Sequence, residues 1–260
     1  MIKWKLMLTT LPWVAAVVLL KLVMERIFGL TGWVEFSDIS PVLAAGAFLI
    51  GFMLAGTMAD YKESEKLPSE LVTTLETIDD LITVSSLKTE FDALAARRGL
   101  VDLGERILDW FAKRAPIDAV YSAIAAMNPH FQAMDKAGAT AHANRSIVFM
   151  NTVRRTIGRI DVISRTGFLA TGYAILEVMV VAIVILLLAS RYKNLVAEYT
   201  LVSSITLIYA YMLRLIRDVD DPFEYGPDLL RKGAAEVDLF PITEYLSRAK
   251  ARLEASSKAE

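Results

Sequence analysis

The sequence has no cysteine and only two histidines, His130 and His142. Without thiols there is no disulfide framework, no thiolate metal site and no cysteine nucleophile. The histidines are far apart and carry no ligand-like pattern around them, so packing or surface roles suffice. No Gly-x-Ser-x-Gly elbow, His-Glu-x-x-His helix or Gly-rich phosphate loop occurs, and the list of candidate catalytic residues is empty. The chain is therefore read as a non-enzyme. An excess of one charge is missing too, since 28 Lys and Arg stand against 30 Asp and Glu. Acids and bases are mixed through the middle of the chain, which argues against a nucleic-acid partner. Internal repeats, low-complexity linkers and strand-like alternation are scarce.

Apolar sequence is abundant, and it is sorted into blocks. Leu8–Leu20, Val42–Ala59 and Tyr199–Leu213 carry no charge, and Gly167–Ser190 is charged only at Glu177. A bilayer core of about 30 Å takes about 20 mostly apolar residues in a helix, and Leu176 with Val178–Leu188 is the clearest such run. Met1–Leu20 has the basic start and apolar run of a secretory signal. It has no small-x-small cleavage site before Lys21–Arg26, so it reads as a retained span. The expected class is an all-α membrane protein with four transmembrane helices in a 2+2 arrangement. Residues 1–60 hold the first two spans, 61–165 a cytosolic helical domain, 166–217 the last two spans, and 218–260 a cytosolic segment ending in the polar tail Ser256–Glu260.

Basic flanks set the orientation. Lys3 and Lys5 precede the first span, Lys62 and Lys66 follow the second, Arg154, Arg155, Arg159 and Arg165 approach the third, and Arg214, Arg217, Arg231 and Lys232 follow the fourth. Glu35 and Asp38 are the only charges in the connection Gly29–Ser40. Both termini and the insert are thus expected in the cytoplasm, and the protein in a plasma (inner) membrane. Arg191 and Lys193, in the turn between the last two spans, run against the rule.

Within the insert, Leu67–Pro68 opens a helix that continues through Leu71, Leu75, Ile78, Leu81 and Ile82 at helical spacing. Leu94, Leu100, Leu103, Ile107, Trp110 and Phe111 make a second stripe. A third begins at Pro116 and runs through Ile117, Val120, Ile124 and Met127 until Pro129 stops it. Ala139–Thr166 lacks proline and is expected to feed straight into the third span.

The second span runs into Asp60-Tyr61-Lys62-Glu63-Ser64-Glu65-Lys66-Leu67-Pro68, and the fourth into Asp220-Asp221-Pro222-Phe223-Glu224-Tyr225-Gly226. Both junctions, and the two-plus-two layout around a helical insert, resemble the bestrophins. Two departures mark a divergent member. The tryptophan-rich patch after the second helix is replaced by Thr57-Met58-Ala59, and Gly226 follows Pro222-Phe223 two residues late.

The resemblance implies a homo-oligomeric, pentameric channel for small anions such as chloride, with a neck of apolar side chains from the second helix. Ala44, Phe48 and Phe52 match that neck and share one helical face, and such a ring gates by dewetting. Beside them Ala47, Gly51 and Ala55 form a small-x-x-x-small stripe that permits close helix packing. The plainer reading is that both phenylalanines face membrane lipid or another span. Lys21 and Glu177 are the ionisable residues deepest in apolar sequence and are candidate pathway residues. Lys21 is expected to snorkel to the outer interface with Arg26, and Glu177 to bond Ser203, Thr206 or Tyr209 if its role is structural. Asp218, Asp220, Asp221, Glu224 and Asp228 cluster where calcium-activated bestrophins hold an ion. They lack an EF-hand pattern and read better as a solvated turn, so no cofactor is expected. The alternative function is a non-conducting membrane scaffold or sensor whose helical insert binds partners.

Overall fold

The computed structural model describes residues 4–30, 32–167, 169–229 and 233–257. Lys3, Arg231 and Lys232, which enter the charge-bias reading, lie outside them, as does the end of the polar tail. The described residues form ten helices and one pair of two-residue strands: α1 (Lys5–Arg26), β1 (Val34–Glu35), α2 (Phe36–Ser64), α3 (Leu67–Lys88), α4 (Ala93–Phe111), α5 (Ile117–Ala126), α6 (Asn128–Lys136), α7 (Thr140–Arg165), α8 (Ala170–Ala189), β2 (Ser190–Arg191), α9 (Leu195–Asp220) and α10 (Phe240–Ser257). Among the described residues the helical candidates for membrane crossing, by length and composition, number four, and they cover the four apolar blocks to within one residue.

Local chemistry explains most of the boundaries. The Asp92 side chain caps α4 by accepting the Leu94 N–H at 2.8 Å, and Asn194 caps α9 by accepting that of Ala197 at 2.8 Å. Each satisfies one orphan donor of a first turn. Pro68 sits in the first turn of α3, as its sequence predicts. The third helix, α5, ends at Ala126 just before Pro129, as expected, but Pro129 also opens a further helix, α6, from its second position. A proline lacks the N–H that a first turn leaves unbonded, so it starts a helix as readily as it blocks one. Nor does α7 feed straight into the third span. It ends at Arg165, with Thr166 in an extended conformation, and α8 begins only at Ala170.

The chain divides into two compact units. The first comprises Met1–Tyr61, Gly167–Asp221 and Gly233–Ala235. Its core is Ile39, Ile50 and Met53 from α2, Leu176, Val180, Ile183 and Leu187 from α8, and Val202, Tyr209 and Ile216 from α9. Helix α1 packs on α9 and α8. Beyond the helix ends, Val34 and Glu35 pair in parallel with Ser190 and Arg191, and the Trp33 N–H donates to the Ala189 carbonyl at 3.0 Å. A Cβ on Gly32 would stand 2.4 Å from the Ser190 carbonyl carbon and oxygen. Only glycine lets the two connections approach this closely.

The second unit comprises Lys62–Thr166, Pro222–Lys232 and Glu236–Glu260. Helix α3 packs on α7 and α4, α6 on α7, and α10 on α4 and α3. The helical stripes read from the sequence form its core: Leu71, Leu75, Ile78, Ile82, Leu103, Ile107 and Ile124 are fully buried. The chain after the acidic junction is less solvated than its composition suggests. Helix α10 buries Ile242, Tyr245 and Leu246, and Leu246 fills the notch left by Gly104, with its Cδ2 2.6 Å from where a Cβ would stand.

Candidate pore helix and buried charge cluster

Helix α2 has two faces with different work. Gly46, Ile50, Met53 and Thr57 recur at intervals of three and four and are all buried, which is the period of one helical face. A Cβ on Gly46 would lie 2.8 Å from both Ile183 Cδ1 and Tyr209 Cε1, so its absence lets α2 close on α8 and α9. The Tyr209 hydroxyl donates to the Leu43 carbonyl on the same side. Met53 fits against Gly172 of α8 in the same way, its sulfur 2.6 Å from a would-be Cβ.

The sequence-selected residues lie on the remaining surface of α2. Phe48 is 78% exposed and Phe52 54%, and Ala44, Ala47, Gly51 and Ala55 are exposed as well. Nothing lies within 4 Å of the position a Cβ on Gly51 would take. None of these six contributes to the core of its own chain. On α2 the glycine that sets close helix packing inside the chain is Gly46, which belongs to no small-residue stripe the sequence had singled out.

Lys21 does not snorkel to the surface. Its side chain is completely buried, and its ammonium donates to the carbonyls of Leu188 and Ser190 at 2.9 Å each. It also pairs with Glu25 and Glu198 at 3.1 Å each. The Tyr192 ring centroid lies 5.4 Å from the same nitrogen, and burial pushes the Tyr192 phenol up to about 12. One ammonium thus ties together the ends of α1 and α8 and the start of α9. An isolated buried charge costs several kcal/mol, and this one is retained because acceptors surround it. The Lys21–Glu25 spacing was a visible hint, being an i,i+4 pair. Glu198 carried no such signal, because it is distant in sequence and stands at the head of a span.

Glu177 pairs with Arg217 of α9, not with Ser203, Thr206 or Tyr209. Ser203 instead bonds the Tyr199 carbonyl of its own helix at 2.6 Å, and the Thr206 hydroxyl is buried without a partner among the described residues. Register explains the difference: one turn before Glu177, the Tyr173 hydroxyl donates to the Ile216 carbonyl, so this part of α8 lies beside the end of α9 that carries Arg217, and Thr206 stands about three turns further along.

In the acidic junction the Asp218 carboxylate accepts the Ala234 N–H at 3.0 Å, and Asp220 lies against Gly167. Among the described residues no three Asp, Glu, His or Cys side chains converge into a metal-holding group. His142 is within hydrogen-bonding distance of Ser85, 3.0 Å from Nδ1 to Oγ.

No protein-family model matches this chain, and no curated protein matches it by sequence. Solved structures do. A bacterial bestrophin homologue from Klebsiella pneumoniae superposes with a TM-score of 0.72 at 14% identity, covering 97% of this chain and 98% of that one. An aspartate-to-alanine variant of a Klebsiella pneumoniae homologue matches with a TM-score of 0.71 at 14% identity, over 96% and 98% of the two chains. At such identity the likeness is one of fold. This chain is an all-α protein with long apolar helices and the bestrophin fold. The resemblance carried by its two polar junctions therefore holds at the level of architecture, along nearly the whole chain.

Proposed function

We propose that several copies of this chain assemble around an axis as an anion channel in a bilayer, each lending the outward face of α2 to a central pathway. The observation that carries this reading is the division of α2. One face is committed to the chain's own core, while Ala44 and Phe48, with Ala47, Gly51 and Ala55 beside them, are exposed on the other, and Phe52 is 54% exposed on that same side. The bestrophin fold supports the choice of a channel, although fold by itself never fixes function. Four membrane-crossing helices are too few to enclose a pore, so a ring is required, and five copies follow from the family resemblance. In this arrangement Phe48 and Phe52 form an apolar constriction that excludes water when narrow. The charge bias of the flanks places the termini and the helical insert in the cytoplasm. No calcium is needed for conduction.

The test is halide efflux from proteoliposomes at matched protein density, with and without calcium, for the native protein and for Phe48→Ala/Phe52→Ala. Trimming the constriction raises flux several-fold while the oligomer persists. Gly51→Leu separates assembly from folding: among the described residues nothing lies within 4 Å of the Cβ it would add, so the subunit folds while the ring is lost. Background flux from both the native and trimmed proteins, with an intact oligomer, overturns the channel and leaves the non-conducting scaffold.

A further inference from the structure

The turn that breaks the charge rule also builds a cavity. Between β2 and α9, Arg191, Tyr192, Lys193 and Asn194 face Glu35, Phe36 and Ser37 across a space of about 670 Å³ in the first unit. Two long helices begin at this space, α2 at Phe36 and α9 at Leu195, and helix starts carry the positive end of the peptide dipole. Arg191 and Lys193 are exposed, and neither forms an ion pair among the described residues. The one carboxylate in the lining, Glu35, has Ser37 3.5 Å away. The lining therefore holds two cations against one anion. Its other walls, Phe36, Ala197 and Leu201, are apolar, and just outside stand Leu195 and Val196, 52% and 77% exposed, and Trp33, 74% exposed.

The geometry points to a binding site for the phosphodiester headgroup of an anionic phospholipid. Arg191 and Lys193 take the phosphate oxygens, and the apolar wall formed by Phe36, Ala197 and Leu201 takes the glycerol and the first part of an acyl chain. A free inorganic anion would use the cations and have no use for that wall. Exposed tryptophan and aliphatic side chains beside the cavity are what a helix end presents at the headgroup level of a bilayer. Two cations that charge bias alone would place on the other side of the membrane thereby gain a role. The site requires only that the chain sits in a bilayer, whether or not it conducts.

Native mass spectrometry of the full-length detergent-solubilised assembly, given phosphatidylglycerol or phosphatidylcholine, reads the site directly. The native protein retains phosphatidylglycerol over phosphatidylcholine. Arg191→Gln/Lys193→Gln lowers that retention roughly tenfold or more. Leu201→Trp fills the apolar wall without touching charge and lowers it as well. Lys136→Gln, which neutralises an exposed cation of the other unit, leaves it unchanged. Equal retention by the native protein and the double variant overturns the site, and so does an equal loss in the Lys136 control. Complete displacement by millimolar inorganic phosphate overturns the lipid in favour of a free anion. A protein that fails to pass halide yet shows the retention difference keeps this site while losing the channel.

Discussion

The two units bury charge in opposite ways. In the first, one ammonium collects the acceptors: Lys21 meets two carbonyls and two carboxylates at 2.9 to 3.1 Å. In the second, one carboxylate collects the donors: Asp79, 6% exposed, receives Arg97 at 3.2 Å and Arg252 at 3.3 Å. The apolar side chains are arranged in contrast too. Phe48, Trp33 and Val196 of the first unit are each more than 70% exposed, whereas Leu71, Leu75 and Ile78 of the second are completely buried. An outward apolar face is stable only where the surroundings are apolar, so the first unit, which carries most of the large exposed apolar side chains among the described residues, is suited to a bilayer, while the second exposes fewer, Leu87 and Val148 among them. Both nonetheless solve a buried charge by giving it more than one partner.

Removing the hub of each cluster sharpens that comparison. Lys21→Met has the largest expected effect, about 3–5 kcal/mol of destabilisation, because Glu25 and Glu198 are left facing each other without a cation. Thermal unfolding of the purified protein measures it, and a melting temperature equal to the native one would show that the cluster is dispensable. Asp79→Ala should cost roughly 2–3 kcal/mol, less than Lys21→Met because the Arg252 side chain is already 39% exposed and Arg97 keeps Thr83 as an acceptor. Selective loss of protease protection in α10, read by limited proteolysis, is its signature, and unchanged protection argues that apolar contacts hold that helix unaided.

Smaller effects probe packing and the surface. Gly104→Ala pushes against Leu246, whose flexible end can give way, so about 1–2 kcal/mol is expected; a neutral result in urea unfolding would mean the notch closes without strain. The weakest is the Glu63–Arg159 pair, in which each side chain is more than 40% exposed. Its hydrogen bonds from Arg159 hold the Glu63 carboxyl below its ordinary value. A depressed carboxylate contributes stability above the unfolded-state pKa and loses it as pH falls through the folded one. Glu63→Gln should therefore cost only about 0.2–1 kcal/mol at neutral pH, and the gap from the native protein should close as the pH falls below about 4. A pH-independent gap refutes the ionic origin.

The sequence made the periodic features legible and left the long-range ones dark. The apolar blocks and the stripes through Leu71–Ile82 and Leu94–Phe111 correspond to α1–α4, α8 and α9, because burial in a helix imposes a period that is written along the chain. Pro129 was read only as a stop, which α5 obeys, because proline means both stop and start and nothing near it announces that α6 follows. The α2 surface around Phe48 could be chosen, but its opposite face, fixed by Gly46 against Ile183 and Tyr209, could not. That contact depends on which helices meet. The Lys21 cluster escaped for the same reason: its acceptors come from three separate stretches, two of them main-chain carbonyls that no residue type announces. Helix α10 was hidden by a polar composition, although Ile242, Tyr245, Leu246 and Ala249 repeat at helical spacing.

The split of α2 between a committed and an uncommitted face has an evolutionary consequence. Substitutions at Gly46, Ile50, Met53 or Thr57 are filtered by whether the subunit folds at all. Those at Ala44, Phe48 or Gly51 are filtered far less, because these residues are exposed and contribute nothing to the core formed by the described residues. Lineages are then free to explore the uncommitted face without first re-solving the interior. Relatives with little sequence in common can in this way keep one architecture while differing in what passes along, or rests upon, that surface.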